Sequence, residues 1–132
     1  MALLGAGEVA RAEAWVSRCA ARALAPDDVR RSNHAMAREV GLPVMRALVA
    51  LTRGQADLAA ETLYAVRGMA QGIGGSHAQR DVIDQTLLAA AARGSHRDMG
   101  RALVHERLMA KPITPLTRHW LEALGLQNER RA

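Results

Sequence analysis

Glycine and proline cut this chain into short segments, and between the cuts it is written mostly in alanine, leucine and arginine, with 27 Ala and 16 Leu among 132 residues. Alanine is the strongest helix former, while strands draw on aromatic and β-branched side chains. The sequence has no Phe, and its aromatics are Trp15, Tyr64 and Trp120. A chain so composed is confined to short helices that pack closely, because alanine adds little bulk between neighbouring backbones. The expected fold is all-α, a single domain over residues 1–132 built as an array of about seven antiparallel helices.

Residues 1–6 read as the last turn of a helix that has lost its beginning, ended by Gly5 and Gly7. From Glu8 to Leu24, Val9, Ala12, Val16, Cys19, Ala20 and Ala23 recur at three- and four-residue spacing, which places them on one helix face with Trp15 on its flank. Pro26-Asp27-Asp28 is a helix-start signature, and the short polar helix after it carries Val29, Met36 and Val40 until Gly41 ends it. Pro43 opens a helix with Val44, Leu48 and Leu51 on one face and Met45, Val49 and Thr52 on the next, stopped by Gly54. From Ala56 to Gln71 two apolar stripes lie side by side, Ala59, Leu63, Val66 and Ala70 beside Leu58, Thr62, Ala65 and Met69. Such a helix is covered on two sides. After Gly72 to Gly75, a helix from Ser76 buries Ile83, Leu87, Ala90 and Ala91, and Gly94 closes it. Ser95-His96-Arg97-Asp98 reads as a capping box for a helix bearing Met99, Ala102, Leu103 and Ala110. Lys111-Pro112 ends that one, Thr114-Pro115 caps a last helix with Leu116, Trp120, Leu121 and Leu124, and residues 127–132 form a frayed tail.

A helix, a glycine turn, a small residue five positions later and an apolar residue four further on is the logic of a tetratricopeptide hairpin. Gly54, Ala59 and Leu63 obey it, as do Gly7, Ala12 and Val16, while Gly94, Met99 and Leu103 put a larger residue at the packing position. The glycines are unevenly spaced, so the array is irregular. Gly74-Gly75-Ser76-His77-Ala78-Gln79-Arg80-Asp81-Val82, with Thr86-Leu87, Arg101-Ala102-Leu103, Glu106-Arg107 and Lys111-Pro112-Ile113-Thr114-Pro115-Leu116, resembles the C-terminal part of proteins similar to tetratricopeptide repeat protein 38. Met1-Ala2-Leu3-Leu4-Gly5-Ala6-Gly7 resembles an internal segment of that family. Members are several times longer, so the chain looks like a C-terminal fragment or a shortened relative. The resemblance implies a tetratricopeptide-like array and supplies no reaction and no catalytic residues.

The densest polar cluster lies in the conspicuous stretch from Gly72 to Ile83. Ser76 and Gln79 form an S-x-x-Q capping box, and Gly74 and Gly75 suit a turn needing positive φ. His77, Arg80 and Asp81 have no such local reason, so these three, with Ser76, are the candidate ligand- or partner-binding residues. The spacing offers two pairs one helical turn apart, His77 with Asp81 and Arg80 with Asp84. His105-Glu106 invites comparison with the H-E-x-x-H zinc signature, but Met109 stands where the second histidine is needed, and no two of the five histidines have that spacing. No metal site, cofactor or catalytic set is expected.

The formal net charge is +5, from 17 Arg and the single Lys111 against 13 acids. The arginines are spread through every segment and stacking aromatics are missing, which argues against a nucleic-acid partner and for a GC-rich coding bias. Cys19 is alone, so no intrachain disulfide or cysteine-based zinc site can form, and a reducing, cytoplasmic setting fits. No apolar run approaches the roughly 18 residues of a membrane span. The expected function is a non-enzymatic helical-repeat module that binds a protein or peptide, and the alternative is a small-molecule or anion pocket walled by the turn from Gly74 to Asp81. Self-association is also expected, because an array edge lacking its preceding helix exposes Leu3, Leu4, Val9 and Val16.

Overall fold

The computed structural model describes residues 1–26, 33–73, 77–110 and 112–126, and among them every regular element is helical. In chain order these are α1 (Ala2–Gly5), α2 (Val9–Ala23), α3 (His34–Met36), a π segment (Ala37–Gly41), α4 (Leu42–Thr52), α5 (Ala56–Arg67), a 3-10 turn (Ala70–Ile73), α6 (His77–Arg93), α7 (Arg97–Ala110) and α8 (Pro115–Ala123). Contacts run mostly between neighbours in the chain, α4 on α5, α5 on α6, α6 on α7 and α7 on α8, with α2 laid against α4. Short links between long helices leave little choice but antiparallel hairpins.

Three helix ends share one turn. Gly7, Gly54 and Gly125 stand at φ of 75°, 79° and 76°, a conformation that side chains disfavour. Around Gly54, the Gln55 N–H donates to the Ala50 carbonyl (2.9 Å) and the Gly54 N–H to that of Leu51 (3.1 Å). Glu8 and Gly7 repeat this pair of bonds onto Leu3 and Leu4, and Leu126 and Gly125 onto Leu121 and Glu122. This is the double closure that satisfies the last carbonyls of a helix and reverses the chain.

Gly41 and Pro43 do not separate two helices as the sequence predicts. Met36, Ala37, Gly41 and Leu42 all have helical dihedrals, so α3, the π segment and α4 form one unbroken helix. A proline inside a helix lacks an N–H and crowds the carbonyl four residues back, here that of Glu39. The wider π turn immediately before Pro43 relieves that crowding. Burial of Val40 and Leu42 on either side outweighs the helix cost of glycine, about 1 kcal/mol. Counting this helix once and α1 as the remnant, seven helices are present among the described residues, the expected number reached by a different division.

Three further expectations change. The helix from Ala56 stops at Arg67, not Gln71. Ser95 does not cap α7: the Gly100 N–H bonds the His96 carbonyl, which makes His96 the residue before the first turn. Ser95 turns back to α5, where its N–H and hydroxyl donate to Asp57 Oδ1 (2.6 Å) and Oδ2 (2.9 Å), and these two bonds hold the Asp57 carboxyl below its usual range. Gly94 permits this contact, since a Cβ there would collide with Asp57. With the turn one residue longer, the packing positions of α7 move from Met99 and Leu103 to Gly100 and Val104. Both are buried, matching Ala59 and Leu63 of α5. Asp27, Asp28 and Val29 of the expected helix start, Gly74 to Ser76, the Gln79 side chain and residues 127–132 lie outside what is described.

The core is built from alanine against leucine. Ala59, Ala60, Ala90 and Ala91 are fully buried together with Leu63, Leu87, Val104 and Leu124. Alanine lets α5 and α6 approach closely, and each leucine filling the remaining space contributes about 1.5–3 kcal/mol. Val40, Val66 and Ala70 form a smaller cluster under the first turns of α6.

Candidate functional site

His77 is the exposed first residue of α6, while Arg80 and Asp81, further along the same turn, are half-buried. Ser76, the fourth candidate, lies outside the described residues. The structure splits the other three. Arg80 Nη2 lies 3.1 Å from His77 Nδ1, and because a guanidinium only donates, Nδ1 accepts. Asp81 is gripped from α7 by Arg107, through Nη1–Oδ1 (2.5 Å) and Nη2–Oδ2 (2.8 Å). Asp81 also accepts from Gln85 Nε2 (3.2 Å), and Gln85 Oε1 accepts from the indole of buried Trp120 on α8 (2.5 Å). A single polar chain thus joins α6, α7 and α8.

A second junction sits beside it. Arg67, in the last turn of α5, bonds Glu106 of α7 through both terminal nitrogens (3.0 and 2.9 Å) and Asp84 of α6 through Nε (3.3 Å). These bonds hold the Glu106 carboxyl below its ordinary range and push the Arg67 guanidinium up. The Asp81 bonds push Arg107 up in the same way. Bidentate pairs of this kind are the stronger class of charged hydrogen bond, and they fix the angles between three helices. The ion pairs of Asp81 with Arg107 and of Asp84 with Arg67 reach across to other helices.

Between these junctions lies an open polar groove of about 340 Å³ lined by Arg67, His77, Arg80, Asp81, Asp84 and Glu106. Its acids are engaged by arginines, and among the described residues no group of three or more His, Cys, Asp or Glu is placed to hold a metal ion. Arg67, Gln85, Glu106, Arg107 and Trp120 escape the sequence-level site reading because they lie 17 to 39 residues from their partners.

The opposite end of the array offers different chemistry. Leu3 and Leu4 of α1, Ala12, Trp15 and Val16 of α2, and Met45, Leu48 and Val49 of α4 line an apolar groove of about 360 Å³. Trp15, which the sequence places on the flank of α2, is 54% exposed at its edge. The Arg18 guanidinium lies 5.3 Å from the Trp15 ring centroid. Among the described residues no helix is long and apolar enough to cross a membrane.

The fold and these two grooves define the chain as an all-α protein of sequentially packed helical hairpins. The chain matches no known family model, and no solved structure matches it.

Proposed function

We propose that this chain is a non-enzymatic, tetratricopeptide-like module of the cytoplasm that binds a protein or peptide through the concave side of its helical array. The observation that carries the reading is the apolar groove walled by α1, α2 and α4, because an open aliphatic hollow edged by an exposed tryptophan is the usual form of an interaction site. The glycine turns at Gly7 and Gly54, each followed by a buried alanine five residues on, support the repeat character. Panning a display library of helical peptides against the chain and against Met45→Glu tests it. Enrichment lost on the variant supports the groove, and no enrichment, or equal enrichment on both, refutes it.

The polar groove at the start of α6 favours a second reading, a site for a small anion reached by Arg80 and His77. Inorganic phosphate would then raise the melting temperature, and His77→Ala with Arg80→Ala would remove that rise without lowering the unliganded melting temperature. A variant that merely melts earlier assigns both residues to bracing α6.

A further inference from the structure

We infer that the groove between α1, α2 and α4 receives an amphipathic helix with an acidic flank. This rests on the interaction-module reading above and specifies its partner.

The floor of the groove is aliphatic, from Leu3, Leu4, Val16, Leu48 and Val49. Its rim is basic. On α2, Arg11, Trp15, Arg18 and Arg22 follow one another at four, three and four residues, one stripe of the helix, and all four are exposed. Arg11 is neutralised by Glu8, but among the described residues no ion pair involves Arg18, Arg22 or Arg46. Arg46, exposed on α4, lines a neighbouring cleft that shares Val16 and Val49 with the groove. The nearby acid Glu13 is held by Arg53 through two bonds (2.5 and 2.7 Å), which keep its carboxyl below its usual range, so it does not offset the stripe. Arg18 packed over Trp15 holds the indole at the rim, so an incoming chain meets apolar surface and positive charge together.

The conformation of the partner follows from the backbone. A hollow of about 360 Å³ admits side chains but not a chain with unpaired peptide groups, and there is no sheet edge among the described residues to pair with one. A helix satisfies its own peptide groups and presents apolar side chains at three- and four-residue spacing, and acids on its flank meet Arg18, Arg22 and Arg46. A second copy of this chain is the poorer occupant, since each copy carries a net charge of +5 and would set one arginine stripe near another. Binding in the range of roughly ten micromolar is expected.

The test uses two synthetic helical peptides with identical leucines, one carrying Glu and the other Lys at the flanking positions, followed by fluorescence anisotropy on the whole chain. The Glu peptide is expected to bind at least about tenfold more tightly, and the preference should shrink at high salt. The Arg18→Glu, Arg22→Glu double variant should reverse the preference while its melting temperature is unchanged. Leu48→Glu should abolish binding of both peptides; if that variant fails to fold, the exposed Trp15→Asp reads out the same loss. Equal binding of the two peptides overturns the acidic assignment and leaves the interaction reading standing. No binding of either peptide overturns both. A dimer seen by sedimentation at micromolar concentration, and dissolved by Trp15→Asp, makes a second copy the occupant and overturns the proposal.

Discussion

Gly68→Ala, at the residue that ends α5 with helical dihedrals, and Gly100→Ala, inside α7, are the same chemical change, and the structure assigns them opposite effects. Neither glycine has positive φ, so alanine fits both backbones. In each case it removes freedom from the unfolded chain, a gain of about 0.4–1 kcal/mol. At Gly68 a new Cβ meets nothing within 4 Å, so the gain is kept. At Gly100 the Cβ would lie 2.9 Å from Leu124 Cδ2 and 3.2 Å from Ala91 Cβ. The Leu124 methyl can rotate away, but the Ala91 carbon cannot, so α6 and α7 must separate. Overpacking of this kind costs about 1–3 kcal/mol. The backbone gain is common to both variants, so the gap between them reports the packing alone, about 1–3 kcal/mol. Urea unfolding followed by circular dichroism measures it, and thermal melts should show a gap of about 3–5 °C per kcal/mol. Equal upward shifts for the two variants would mean that α6, α7 and α8 do not meet at Gly100, and the shift of the α7 packing positions to Gly100 and Val104 would be wrong.

Two other expectations concern the charged junctions. Asp81→Asn should cost about 1–3 kcal/mol, because it leaves Arg107, 13% exposed and with its Nε already lacking a hydrogen bond, facing a neutral amide; wild-type stability in urea would contradict the bracing role of Asp81. The second concerns acid: Glu106 has a folded pKa below its ordinary 4.5, so its contribution is full above pH 4.5 and is lost as pH falls through the folded value. Urea midpoints should therefore be flat near neutrality and fall on acidification, less steeply in Glu106→Gln, and a midpoint that rose on acidification would contradict the Arg67 pairing.

Helix content, the buried stripe of Ala59, Leu63 and Val66 on α5 and the turns at Gly7 and Gly54 are legible in the sequence because each depends on residues within one or two turns of the chain, whereas the second stripe expected on α5 leaves Leu58 and Met69 exposed. Pro43 was misleading for an equally local reason: proline and glycine normally mark a boundary, and only the burial of Val40 and Leu42 against other helices holds that segment helical. The Gly100 register was hidden because the length of the turn after Gly94 is set by Asp57, 38 residues away from Ser95. The candidate site shows the same division. His77, Arg80 and Asp81 stand out as polar residues, but the bracing role of Asp81 is decided by Arg107, with Gln85 and Trp120 beyond it, whose positions no spacing rule supplies.

The alanine core also shapes how this chain can change over generations. Single-base changes in an alanine codon lead to Gly, Ser, Thr, Pro, Val, Asp or Glu, and all but glycine are larger than alanine. At Ala59, Ala60, Ala90 and Ala91, where no solvent-exposed surface remains, nearly every accessible step therefore adds volume between helices already in contact. A leucine core drifts by opening cavities that neighbours partly fill. This core has few such steps available, so its interior should stay nearly invariant while the arginine-rich exterior diverges freely.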